Sequence, residues 1–484
     1  MTRVLAALAA LAAVATLAAL ALPVAGCKKL NAAYCDAERP CGIGFACDLV
    51  SRECRADTEV PADMSMPDLY SGCAPACSGI TPICMMPTCL SCTVQADPEA
   101  ACLLLSASTP HCATDGSCVG CRDGADCTDP NNAMCDPTTH ACRGCATDSE
   151  CPSLVCDLTP GSATRGRCVD KSNVMYVDGA AAMNGDGLTA ATPLQKIQDA
   201  LNKAIQTNVN RTFVRVATGT YNEAVSTSTT AHPLFIVGAN GTIIKPNGGD
   251  ALSVAAGASL TVRNVIASSN GNGVNCQQAN SKFTAYHSQF VDNLQIGVFG
   301  DNLCTLTIDG CWVNNNAAGI TLGGSFVIIN SIITNNRGTG GFTQMAAGAK
   351  QIFANNTVAD NPSVSATGGV TCVTGGPLVV NSILYGNTKA GGGIGETNCS
   401  VSYVATDDPT LAAMSPNVDL RTQAPGFKPA GVPLTADAFH LLPTSPCKNA
   451  GTMSSNVPDH DFDFEPRPDT ASMKVDIGAD ELQQ

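Results

Sequence analysis

The chain has 484 residues and a formal net charge of -15, with 26 Lys and Arg against 41 Asp and Glu. It can hold two or three domains with a sizeable core, and the lack of any basic stripe interleaved with aromatic residues argues against nucleic acid as a partner. Its 27 cysteines fall 21 before Val169 and six after it, too many for a cytosolic enzyme without metal clusters, so an oxidising compartment is implied.

Residues 1–26 carry Arg3, an alanine and leucine run from Val4 to Leu22, and small residues before Cys27. This predicts an export signal; a single membrane-spanning helix is the competing reading, because the run approaches the ~20 residues a span needs. The string Val24-Ala25-Gly26-Cys27 resembles the lipobox of bacterial lipoproteins. That resemblance implies lipidation of Cys27 and a membrane anchor. Lys28 rather than Asp after it implies the outer membrane or cell surface of a Gram-negative bacterium.

Residues 27–55 form a small unit with Cys35, Cys41, Cys47 and Cys54, and 56–72 are an acidic Pro/Met linker with no apolar set for a core. Residues 73–170 hold 16 cysteines, with Cys89-x2-Cys92, Cys118-x2-Cys121 and Cys142-x2-Cys145 each opening a segment. Paired CxxC motifs invite a zinc reading. Disulfides are the stronger one: further cysteines lie between the motifs, and few apolar residues are available to build a core without crosslinks. The tract resembles cysteine-rich repeats of secreted myxobacterial proteins, which implies a stalk or an interaction module.

From Val174 the composition changes. Between Leu260 and Asn387 one pattern recurs six times: an apolar strand, a bend at Asn264, His287, Gly310, Asn330, Asn355 or Asn381, and a second strand. An asparagine follows six residues after each bend, at Asn270, Asn293, Asn316, Asn336, Asn361 and Asn387. Repeats this short bury their apolar side only against neighbouring coils. Asparagine tolerates left-handed backbone at a tight turn, and stacked copies can bond along the column, so this column is read as a structural ladder. The expected fold class is all-β: a right-handed parallel β-helix solenoid over 172–424, preceded by the disulfide-rich region. Alternation assigns two core columns, Val262, Ala285, Ile308, Ile328, Phe353 and Val379 before the bend, and Ala267, Phe290, Val313, Ile333, Val358 and Leu384 after it.

The strings Tyr176-Val177-Asp178, Gly185-Asp186-Gly187 and Ile197-Gln198-Asp199-Ala200-Leu201 resemble the opening segment of secreted β-helix proteins related to pectate lyases. A helix beginning near Pro193, with Leu194, Ile197, Leu201 and Ile205 on its apolar face, is expected to cap the solenoid. Relatives of that family bind polysaccharide along the outward face of the first strand. Here that face carries Arg263, Tyr286 and Asp309 with Thr261, Thr284 and Thr307, the candidate ligand site. It then turns apolar at Ile329, Ala354 and Val380 and at Val327, Ile352 and Leu378. An exposed apolar stripe is a liability, so a cover is expected, from residues 425–484. That segment resembles the closing module called choice-of-anchor in bacterial β-helix proteins, through Asn449-Ala450-Gly451, Asp461, Asp463, Arg467-Pro468 and Asp476-Ile477-Gly478-Ala479-Asp480-Glu481. Its acidic run, Asp459 to Glu465, offers alternate carboxylates to calcium but lacks an EF-hand glycine, so a solvated turn pairing with Arg467 is preferred and no metal or other cofactor is assigned.

Lyase chemistry needs a base near the sugar C5 proton, and the basic residues Arg263, Lys282, Arg337, Lys350 and Lys389 are scattered over different columns. Trp312, the single tryptophan, faces outward two residues after a bend and is read as packed under a loop rather than stacked on sugar. The expected function is a lipid-anchored surface protein whose β-helix binds a polysaccharide or a cell-envelope partner. A polysaccharide lyase or glycoside hydrolase, and a purely structural envelope protein, are the alternatives.

Overall fold

The computed structural model describes residues 77–484 except 86–87, 230–231, 366, 455 and 484, together with two paired strands at Phe45–Asp48 and Glu53–Ala56. The expected export signal, Cys27 and the acidic linker lie outside the described residues. Two compact units meet between Val119 and Gly120.

In the first unit the short helix Pro98–Leu105 starts from Asp97, whose carboxylate accepts the Ala100 N–H at 3.1 Å, and Pro98 occupies the first turn, where no N–H is needed. Disulfide Cys102–Cys118 ties this helix, and Cys92–Cys112 the preceding 3-10 turn Cys92–Val94, to the hairpin His111–Cys112 and Cys118–Val119. The same connectivity, first to third and second to fourth cysteine, recurs in the second unit as Cys121–Cys135 with Cys127–Cys142, and again as Cys145–Cys156 with Cys151–Cys168. Each CxxC is therefore a junction: its first cysteine closes one module and its second opens the next. Thiols so engaged are not zinc ligands.

The solenoid runs from Val174–Val177 to Val418–Asp419 as parallel strands paired one coil apart. Strands before and after the bends form one continuous wall, and seven short strands, from Val225–Ser226 to Val370–Thr371, form a separate sheet. Both predicted core columns are fully buried in one cluster. The six bend residues all have φ between 46° and 60°, the left-handed region that asparagine and glycine enter at least cost.

The asparagine ladder begins one coil later than the sequence suggests. Asn270 is exposed and bonds the Asn247 carbonyl at 2.7 Å, whereas Ser269 donates to Asn293 Oδ1 at 3.0 Å and serves as the first rung. From Asn293 to Asn387 each backbone N–H and each Nδ2 donates to the Oδ1 of the next asparagine, at 2.8–3.1 Å. The Glu396 carboxyl accepts from Asn387 and ends the column. The left-handed backbone expected of the ladder falls one residue earlier, on Asp292, Asn315, Asn335, Asp360 and Gly386. That turn frees the ladder side chain to point inward.

The capping helix is shorter than expected, Ile197–Ala204, with Ile197, Ala200, Leu201 and Ala204 buried. Leu194 instead bridges to Val177, and the Glu223 carboxylate accepts the N–H groups of Ile197 and Gln198 at 2.8 and 3.1 Å. Disulfides Cys276–Cys304 and Cys372–Cys399 staple adjacent coils, 28 and 27 residues apart in sequence.

Residues 425–484 close the side of the solenoid with little regular structure. Their cover falls on the second strands and the bends. Phe439, Phe462 and Ala479 pack on Trp312, Ile332 and Ala359, and Leu441 and Ile477 on Ile383 and Ala405. Trp312 is thus packed under this segment. Ala354 and Val380 are buried, but Leu378 remains half exposed, so the cover over the first-strand stripe is incomplete. The solvated turn expected around Arg467 is corrected: Arg467 is buried and donates to the carbonyls of Gly478 and Ala479 at 3.1 and 2.8 Å. Buried Asp461, Asp476 and Glu481 accept backbone N–H groups around it. Carboxylates here replace the hydrogen bonds that a sheet would supply.

Candidate functional site

Parallel pairing sets Arg263 beside Tyr286 and Tyr286 beside Asp309, and likewise Thr261, Thr284 and Thr307. The sequence register therefore brings the six together in two rows. It does not leave Thr261, Arg263 and Asp309 facing solvent. Arg263 is 8% exposed and Asp309 2%, which corrects the expectation of an open face. Arg263 Nη2 donates to Asp148 Oδ1 at 2.6 Å and to the Cys156 carbonyl at 3.0 Å, both in the last cysteine-rich module, and Arg215 joins the same carboxylate at 3.5 Å. Val155 of that module packs with Val174, Tyr176 and Val237. The module is thus docked on the first coils.

Asp309 is claimed from the other side. Asn330 Nδ2 donates to one of its oxygens and His460 Nε2 contacts the other, each at 2.9 Å. Between the two covers Tyr286 is half buried, and desolvation with the charges of Asp309 and Asp157 pushes its hydroxyl up to about 12. Thr284 and Thr307 stay partly exposed.

Between the docked module, the bends and the C-terminal segment lies a cleft of about 500 Å³, lined by Leu158, Arg165, Arg263, His287, Asp463 and Phe464 among others. Arg263 Nη1 is buried here with no hydrogen-bond partner. A guanidinium cannot shed its protons, so the Nη1 N–H groups are buried donors without an acceptor, a costly arrangement. Arg165 is exposed at the same cleft. His287 stacks on Phe464 with ring centres 5.6 Å apart; the side chain is exposed at the cleft, and desolvation by its neighbours with the charge of Arg263 holds its imidazole below the usual histidine range despite Asp463 nearby. Sequence reasoning found Arg263 but missed Arg165, His287 as a lining residue, Asp463 and Phe464, because these converge from three distant segments.

Residues 234–358 match the family described as right handed beta helix region. Among solved structures, pectate lyase Pel9A is similar with a TM-score of 0.37 and 14% identity, over 64% of this chain and 96% of that one. A protein described as Geobacillus virus E2 ORF18 is similar with a TM-score of 0.31 and 15% identity, over 49% of this chain and 50% of the other. The search of curated proteins found no match. The chain is a right-handed parallel β-helix protein with a disulfide-rich N-terminal region.

Proposed function

We propose that this β-helix is the binding module of a lipid-anchored surface protein and that its cleft takes the carboxylate of an acidic polysaccharide. The observation that carries this reading is the unpartnered Nη1 of Arg263, buried at the wall of a cleft that also holds Arg165. A guanidinium pinned on one edge by Asp148 and free on the other is pre-organised for an anionic oxygen. Phe464 offers an apolar surface beside it. The anchor rests on the Cys27 lipobox alone.

Uronate elimination is the second reading, favoured by His287. Its imidazole, whose proton affinity is lowered by desolvation in the cleft and by the charge of Arg263, lines the cleft that holds Arg263 and is a candidate base for the C5 proton of a sugar whose carboxylate Arg263 would neutralise.

Incubating the full-length protein with uronate-containing, carboxyl-reduced and neutral polysaccharides separates the readings. Retention of the uronate polymers alone, without product, supports binding. Unsaturated product, seen as new ultraviolet absorbance, supports elimination. Equal retention of the carboxyl-reduced polymer, or none at all, refutes the carboxylate site.

A further inference from the structure

The three walls of the cleft differ in charge. The solenoid supplies Arg263, with its buried Nη1, and the docked module supplies the exposed Arg165. The C-terminal segment supplies a carboxylate, that of Asp463, whose side chain is 40% exposed and so within reach of anything the cleft holds. His287 lies near both signs, since beyond desolvation its imidazole responds to the Asp463 and the Arg263 charges in opposite senses.

Asp463 is fixed in place and in charge. Its N–H donates to Asp461 Oδ1 at 3.0 Å, in a turn where the same oxygen accepts the Glu465 N–H at 2.9 Å. Its Oδ2 lies 3.0 Å from His440 Nε2. Burial opposes a charged imidazole at His440, but Asp463, Asp480 and Asp437 outweigh it and push the group up to about 9, so an imidazolium faces Asp463 at neutral pH. Burial likewise opposes the Asp463 charge, and the pairing with His440 prevails and holds its carboxyl below the usual carboxylate range. Neither cation of this wall is left for an anionic ligand: His440 is engaged by Asp463, and Lys428 donates to Asp437 at 3.0 Å.

On the reading that the cleft takes a sugar carboxylate, we propose that Asp463 sets which acidic polymer it accepts: one in which a carboxylated sugar is followed by an uncharged sugar that offers hydroxyl or amide N–H donors. A cleft of about 500 Å³ has room for more than one sugar ring. With one carboxylate on Arg263, the neighbouring ring lies toward Asp463. A hydroxyl or amide N–H there makes a charge-assisted hydrogen bond to the carboxylate, whereas a second sugar carboxylate meets a like charge in a partly desolvated space. The cleft thus sets a repulsive element beside an attractive one, which is how a site rejects a near relative of its ligand. A polymer carboxylated on every ring brings that second charge in every register. An alternating polymer does not. The sequence placed Asp463 in a solvated turn, because nothing in its spacing links it to Arg263.

The test is calorimetric titration of the full-length protein with unsulfated oligosaccharides of equal length in two sets: oligogalacturonates, carboxylated on every ring, and hyaluronan oligomers, carboxylated on every second ring, each with its carboxyl-reduced counterpart. The parent should bind the alternating set at least tenfold more tightly. D463N, which keeps an oxygen for His440, should narrow that preference at least fivefold, chiefly by tighter binding of the fully carboxylated set. E465Q, altering an exposed carboxylate of the same run outside the cleft lining, should leave it unchanged. The preference of the parent needs no variant, so it tests the proposal even where D463N misfolds. Equal binding of the two sets by the parent, a preference that D463N leaves intact, or one that E465Q narrows as much, overturns the proposal and leaves the carboxylate site standing. Binding of neither set, or equal binding of the carboxyl-reduced counterparts, overturns that site and the proposal with it.

Discussion

Replacing Asn336 by alanine removes the middle rung of the asparagine ladder without touching the apolar core. The side chain makes four hydrogen bonds: Nδ2 donates to Asn361 Oδ1 at 2.9 Å and to the Val313 carbonyl at 3.1 Å, and Oδ1 accepts from Asn316 N and Nδ2 at 3.1 and 2.9 Å. In the variant the buried Asn316 N–H loses its acceptor, while Asn316 Nδ2 keeps the Phe290 carbonyl and Asn361 Oδ1 keeps the Asn336 N–H. One stranded N–H costs about 1–3 kcal/mol and the three remaining lost bonds about 1 kcal/mol each, so destabilisation of about 4–6 kcal/mol is expected. Asn270→Ala is the internal comparison. That side chain is exposed and makes one bond to a carbonyl, so its removal should cost under about 1 kcal/mol. Both variants are assayed by urea unfolding with disulfides intact and by hydrogen exchange over Leu306 to Val358. If Asn336→Ala costs no more than Asn270→Ala, the ladder is a geometric marker of the turn and not a source of stability.

Further outcomes can be measured on the same protein. Asp148→Asn leaves Arg263 and Arg215 without their shared carboxylate and should release the module 145–168, at a local cost of about 3–5 kcal/mol; unchanged proteolytic protection of that module contradicts this. Cys311 and Cys447 are free thiols, both buried and pushed up to about 12 by burial, so they should alkylate only after denaturation; native labelling of either refutes the packing. The His460 imidazole sits above its usual 6.5 because Asp309 and Asp459 outweigh the burial that opposes its charge. A raised histidine stabilises fully below about pH 6.5 and loses that contribution as pH rises through its folded value, so the stability gap between the parent and His460→Gln should shrink from pH 5.5 to pH 9; a gap that widens refutes the pairing. Cys27→Ser should release the chain from membrane fractions, and persistent retention argues for an uncleaved helix instead.

How much was legible in the sequence follows from how local each feature is. The core columns repeat every coil, so alternation alone located all twelve residues, and the left-handed bends followed from one column of Asn, His and Gly. The inter-coil disulfides follow the same period: Cys276 and Cys304, 28 residues apart, lie one coil from each other. The first rung was misplaced because Asn270 fits the spacing, although no left-handed residue precedes it and its side chain bonds the Asn247 carbonyl at the surface. The burial of Arg263 and Asp309 was not legible at all. Their partners lie 115 and 151 residues away, in loops with no periodicity.

The two covers hold the solenoid by different chemistry, and the reason lies in what each cover is made of. A cysteine-rich module uses crosslinks where other domains use apolar residues. It has little to bury against a sheet, and it docks through Asp148, the Cys156 carbonyl and the single Val155. The C-terminal segment has Phe439, Phe462, Leu441 and Ile477 and docks on Trp312, Ile332 and Ile383. The polar outward residues Arg263 and Asp309 record contacts with the two covers, through Asp148 and His460, before they record any ligand. A polar row on a β-helix is therefore weak evidence for a binding face by itself. The stronger sign is a buried donor that the docked cover leaves unsatisfied, and among the predicted residues Arg263 carries it.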